Sequence, residues 1–200
     1  MMNLPNKLTL ARILMVPVFV ALLSVESLAC QILAYVVFVA ATLTDYYDGK
    51  IARERNLVTN FGKLFDPIAD KVLLAAALVM LMKLSVLYIP GWTVIAILGR
   101  EFLISGARSL AASEGLVIPA NKWGKTKAVL QMVYIFVFLA FVIIGQIIAA
   151  SGQAAAARVF HGILRPASCW AIAFVAVYTV YSGVQFARVN WHVLKLGNAS

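Results

Sequence analysis

Six apolar runs, each near the length of a bilayer crossing, dominate this 200-residue chain. They fall at about Leu8–Leu23, Leu28–Thr44, Ile68–Tyr88, Trp92–Ala112, Ala128–Ala149 and Pro166–Phe186. A crossing needs roughly 20 apolar residues. Hydrocarbon offers no water to backbone amides, so such runs must be helices or a closed barrel. Their length selects helices, and the short links between them argue for antiparallel neighbours. We therefore expect an all-α membrane protein: six transmembrane helices in a bundle, forming one domain over residues 1–200. Composition agrees, with 63% hydrophobic and 12% charged residues and a mean hydropathy of +0.93; soluble domains are about a quarter charged. The opening Pro5–Arg12 segment, basic and partly apolar, suits a short interfacial helix ahead of the first span. No cleaved signal is expected, since the first apolar run lacks a small-x-small site.

Six spans place both termini on one side, and the basic residues say which. Lys7, Arg12, Lys50, Arg53, Arg55, Lys63, Lys71, Arg100, Arg108, Lys122, Lys125, Lys127, Arg188 and Lys195 gather on one face; Lys83, Arg158 and Arg165 fall on the other. The positive-inside bias makes the richer face cytoplasmic. The net charge of +9 thus reads as a surface facing anionic lipid, not nucleic acid. Cys30 and Cys169 lie in apolar runs and read as packing residues. His161 and His192 sit near span ends. Trp92, Trp123 and Trp191 read as interface anchors, and Gly145, Gly152 and Gly162 as turns or close packing.

Against this background the chain's four aspartates, Asp45, Asp48, Asp66 and Asp70, crowd into one short stretch. They stand at D-x2-D-G-x2-A-R-x8-G-x3-D-x3-D, together with Gly49, Ala52, Arg53 and Gly62. Residues three and four apart share a helix face, so each pair points one way, from the end of span two and the start of span three. Pro67 would suit the first turn of that third span, and Asn56–Phe65 would form the turn between the pairs. A lone aspartate at a span end is usually a cap or solvated. Four at these offsets would repel in a partly desolvated site, and a divalent pair resolves the repulsion. All-oxygen ligands with no His or Cys favour Mg²⁺ or Mn²⁺. Two such ions clamp a phosphoryl group during in-line displacement. Arg53 can neutralise charge on a bound pyrophosphate, and one aspartate can serve as base for an incoming hydroxyl.

This pattern resembles the signature of the CDP-alcohol phosphotransferase family at each defined position. The resemblance implies a six-span, homodimeric membrane enzyme that moves a phosphatidyl or similar group from a CDP-linked donor to an alcohol and releases CMP. It implies two divalent cations, bridged by Asp45 and Asp66. Asp48 would complete one metal site, and Asp70 the other while acting as general base. Gly49, Arg53 and Thr59 would contact the donor, as would Asn6 and Thr9 of the Asn6-Lys7-Leu8-Thr9 segment. The likeness extends over Asn3–Arg12, Asp66–Lys71, Arg100–Phe102, Gly124–Met132 and Tyr181–Gly183. There it points to bacterial members using CDP-diacylglycerol as donor and glycerol 3-phosphate as acceptor, in the cell (inner) membrane with the active site cytoplasmic. Arg100, Arg108, Lys122, Lys125 and Lys127 are the candidate ligands for the acceptor's phosphate, with Glu101 as ion-pair partner or orienter of Arg100. Rival acceptors are serine, inositol phosphate or phosphatidylglycerol. A rival of another class is a cation transporter, although transporters hold ions near the midplane on broken helices, and these aspartates sit at span ends.

Overall fold

The computed structural model describes residues 4–54, 60–113, 116, 118–119 and 122–191, with side chains over 8–44, 68–113, 116, 118–119 and 122–191. Six helices and no strands occur among them: α1 (Leu4–Leu23), α2 (Leu28–Glu54), α3 (Asn60–Lys83), α4 (Gly91–Ser113), α5 (Lys122–Ala150) and α6 (Ala154–Val189). Two compact units emerge, one of Met1–Leu84 with Leu139–Phe160, the other of Ser85–Phe138 with His161–Ser200. Helices α5 and α6 are long and apolar enough to cross a membrane, and Leu8–Leu23 and Leu28–Thr44 are shorter apolar helical segments.

The boundaries depart from the sequence expectation. Several helices outrun the apolar runs: α2 continues to Glu54, α5 opens at Lys122, and residues 60–65 of the expected Asn56–Phe65 turn are helical. Helix α1 runs unbroken from Leu4, so the segment expected as a separate interfacial helix forms its first turns. Helix α3 begins at Asn60, which puts Pro67 inside the helix and not in its first turn. It also ends at Lys83, short of Tyr88, whose N–H donates to Ser168 Oγ at 3.0 Å in place of a carbonyl of its own helix. The following Pro90 disfavours helix at Ile89, and α4 restarts with Thr93 N–H and hydroxyl both donating to the Pro90 carbonyl, at 3.0 and 2.7 Å. Helix α6 starts at Ala154, twelve residues before Pro166, which lies inside it. Its 36 residues extend about 54 Å at ~1.5 Å per residue, well beyond one ~30 Å hydrocarbon thickness.

The links are tight. Ser24 closes α1, its hydroxyl donating to Val20 O at 2.8 Å, and the Ser27 carbonyl accepts the Gln31 N–H to open α2. Between α5 and α6, Gly152 takes φ +80°, a left-handed conformation that glycine adopts without steric penalty.

In the first unit α1 packs on both α2 and α3. Val16, Phe19 and Leu23 of α1, Ala34, Phe38 and Ala41 of α2, and Ala69, Leu73 and Ala77 of α3 are all buried. The offsets of three and four are those of one helix face. The alanines let backbones approach closely, and Phe19 meets Phe38 with centroids 5.6 Å apart. In the second unit α6 reverses the soluble pattern. It turns Ile163, Trp170, Phe174 and Val177 outward and buries Ser168, Thr179 and Ser182 completely. Water would oppose such an apolar exterior; lipid accommodates it, and buried hydroxyls then serve helix association.

Candidate functional site

The aspartate-bearing helices belong to the first unit. Asp45 and Asp48 lie in the last three turns of α2, and Asp66 and Asp70 in the second and third turns of α3. Both helices contact α1. The side chains of Asp45, Asp48, Gly49, Arg53, Asp66 and Asn6, and Thr59 altogether, lie outside the described residues, so the expected ligand and donor roles there stand as sequence readings. Thr9 is described and almost fully buried in α1.

Asp70 is described, and it has a partner that the sequence reading did not assign. Arg12 of α1 donates from Nη1 to Asp70 Oδ1 at 2.9 Å. The arginine side chain is 0% exposed and the aspartate 46%. A guanidinium stripped of water is tolerable only when paired. Here the buried cation holds a half-exposed anion through Oδ1. Thr9 and Arg12, three apart and both buried, occupy one face of α1. A charge inside an apolar helix was the available signal, yet a count of inward-facing cations treats Arg12 like any exposed lysine.

An oxygen-only donor set fits Mg²⁺ or Mn²⁺ on the chemistry of its groups. Asp70 suits such a set, because its carboxylate is partly exposed. Among the described residues no group of three metal-ligating side chains forms.

The candidate acceptor residues belong to the second unit, and they divide. Lys122 and Lys125 are exposed. Lys127 is buried, and its ammonium donates to Glu101 Oε1. The same oxygen accepts from Gln131 Nε2 at 3.4 Å, and Gln131 also donates to Thr179 Oγ1 at 3.2 Å. Arg100 places Nη1 3.6 Å from Glu101 Oε1 and donates from Nη2 to Ser182 Oγ at 3.0 Å. Its side chain is 10% exposed. Arg108, two turns on, stacks its guanidinium 5.3 Å from the Phe186 ring centroid, and its charge acts on Arg100. Ser182 and Phe186 are four apart on α6, so both arginines lean on one stripe of that helix. The Nε atoms of Arg100 and Arg108 are buried without a hydrogen-bond partner among the described residues. Among the described residues, then, Arg100 and Lys127 both engage the Glu101 carboxylate, and Arg108 adds its charge beside Arg100. A buried excess of positive charge with unsatisfied donors is a receptor for an anion. The predicted partnership of Glu101 with Arg100 is present, and Glu101 also anchors Lys127, which the sequence reading did not foresee.

Comparison with known proteins addresses the whole chain. The CDP-alcohol phosphatidyltransferase family matches residues 2–181. The chain is 37% identical over 210 residues to a CDP-diacylglycerol–glycerol-3-phosphate 3-phosphatidyltransferase of Bacillus subtilis, covering 99% of this chain and 100% of that protein. It is 38% identical over 183 residues to a protein of the same description from Rickettsia typhi, covering 91% and 95%. It is 41% identical over 140 residues to a probable phosphatidylglycerophosphate synthase of Mycobacterium tuberculosis, covering 68% and 66%.

Proposed function

This chain belongs to the CDP-alcohol phosphatidyltransferase family, and we propose that it transfers the phosphatidyl group of CDP-diacylglycerol to glycerol 3-phosphate, forming phosphatidylglycerophosphate and releasing CMP. The relatives matched over nearly their full length carry that activity in their names. The observation that supports a phosphate-bearing acceptor is the cationic excess around Glu101 on α4, with two buried arginine Nε atoms still to be satisfied. A phosphate monoester brings the charge and acceptor oxygens that such a cluster lacks.

In this reading Asp70 receives the proton of the acceptor hydroxyl. The freed oxygen attacks the β-phosphorus of the donor, the bond from that phosphorus to the CMP oxygen breaks, and CMP departs. Arg12 keeps Asp70 in one orientation through Oδ1 while the carboxylate takes the proton. Asp45, Asp48, Asp66 and Asp70 would hold two divalent cations, Mg²⁺ or Mn²⁺, which when bound offset the charge of the donor's pyrophosphate. Gly49 and Arg53, with Thr59, Asn6 and Thr9, would face the CDP moiety. Arg100 and Arg108 take the acceptor's phosphate, with Lys122 and Lys125 as exposed cations at the start of α5. We further read the chain as a six-span homodimer of a bacterial cell membrane, with both termini and the active site cytoplasmic.

The deciding experiment supplies the purified protein in mixed micelles with CDP-diacylglycerol and, in turn, glycerol 3-phosphate, serine, inositol phosphate or phosphatidylglycerol, and measures CMP. Glycerol 3-phosphate alone should release CMP, and a chelator should stop it. Release with another acceptor reassigns the reaction within the family. Cation flux in vesicles with no CMP from any acceptor would replace the enzyme reading with a transporter.

A further inference from the structure

Arg100 reaches its place by lying across a gap in α6. Were Gly183 to carry a Cβ, that atom would meet Arg100 Cγ at 3.0 Å, Nε at 3.6 Å and Cδ at 3.9 Å. The first of these is tighter than nine in ten real contacts, so the stem would have to give by a few tenths of an ångström. It has little freedom to do so. The guanidinium is tied to Ser182 Oγ at 3.0 Å and faces Glu101, Glu101 is itself bonded to Lys127 and Gln131, and the whole side chain is 10% exposed. A Cβ at Gly91, Gly99, Gly106 or Gly162, by contrast, would meet nothing within 4 Å. Glycine is a poorer helix former than alanine, and at position 183, inside α6, the bare backbone is what leaves room for the arginine stem.

We propose that Ser182 and Gly183 form a seat on α6 that positions Arg100 toward the acceptor's phosphate, so that acceptor affinity is set partly by a helix segment that does not itself touch the acceptor. This rests on the reading of Arg100 as an acceptor ligand. The seat acts through two contacts of different kinds. Gly183 fixes the height of the stem by what it omits, and Ser182 fixes the direction of the fork by accepting from Nη2. Rotating a guanidinium away from its target weakens a directional, charge-assisted hydrogen bond steeply. Both residues are therefore positioning residues for the affinity of one substrate.

The test is steady-state kinetics of the full-length protein in mixed micelles, varying CDP-diacylglycerol and glycerol 3-phosphate separately. Gly183→Ala should raise the KM for glycerol 3-phosphate about tenfold, the size expected of a sub-ångström misplacement, with kcat and the donor KM unchanged. Ser182→Ala adds no bulk and should raise the same KM about threefold, the low end of a single lost hydrogen bond. Gly162→Ala, in open space on the same helix, should change neither KM. Combining Gly183→Ala with Arg100→Ala should give no more than Arg100→Ala alone, since interacting sites are not additive. An unchanged acceptor KM in both Gly183→Ala and Ser182→Ala, while Arg100→Ala raises it, would overturn the seat and leave the acceptor reading standing. Full additivity with Arg100→Ala would overturn the seat in the same way. An unchanged acceptor KM in Arg100→Ala would sink the acceptor reading and the seat with it.

Discussion

The two units bury charge in opposite ways. In the first, Arg12, wholly enclosed, donates to the half-exposed Asp70. In the second, Glu101 is outnumbered by Arg100, Lys127 and the neighbouring Arg108. A cation enclosed beside a partly exposed carboxylate fixes that carboxylate's orientation. A buried excess is incomplete until an ion of the other sign arrives. On the proposed reading, the same interactions aim a reactive group in one place and recruit a substrate in another.

Removing the aimed group should have the largest effect. Asp70→Asn keeps the shape but not the basicity, and CMP release should fall by about three orders of magnitude, within the usual range for a lost general base, while binding of CDP-diacylglycerol measured directly is little changed. Donor binding lost in parallel with turnover would mean that Asp70 acts through metal alone. Next comes the aiming residue. Arg12→Lys keeps the charge and gives up the planar fork; kcat should drop roughly tenfold with the acceptor KM unaltered, as expected when a positioning contact loosens by a fraction of an ångström. A rise in acceptor KM without loss of kcat would dissolve the distinction between the two regions. In the recruiting region, Arg108→Ala should raise the acceptor KM by about tenfold and spare kcat, in line with one charge-assisted hydrogen bond. The smallest and most diagnostic change is Glu101→Gln. It makes the cluster more positive, so attraction alone would lower the acceptor KM. If Glu101 instead holds Arg100 and Lys127 in register, the KM should rise about threefold, the scale of one net hydrogen bond.

Much of this was legible in the sequence because it depends on local spacing. The apolar runs gave helices, and offsets of three and four put each aspartate pair on one face of α2 or α3. Comparison with known proteins bears out the family that the pattern D-x2-D-G-x2-A-R-x8-G-x3-D-x3-D suggested. What local spacing does not carry is partnership across distance. Arg12 and Asp70 are 58 residues apart, and Arg12 looks like an ordinary positive-inside residue until α1 is packed on α3. Lys127 was grouped with Lys122 and Lys125, although its neighbours in three dimensions are Glu101 and a buried face, while theirs is solvent. The Pro166 boundary misled for another reason. Proline often opens a helix, and only the alanines from Ala154 onward show that α6 has already been running for several turns.

The pairing of Arg12 with Asp70 also bears on how the protein is made. The first helix leaves the ribosome with an arginine on its inner face, and the carboxylate that satisfies it lies 58 residues downstream. An unpaired arginine resists transfer into hydrocarbon by about 2.5–3.5 kcal/mol on the insertion scale at a helix centre. Until α3 emerges, Arg12 lacks the Asp70 carboxylate, and its guanidinium is better served near water or headgroups. The contact between α1 and Asp70 can close only after α3 has been made.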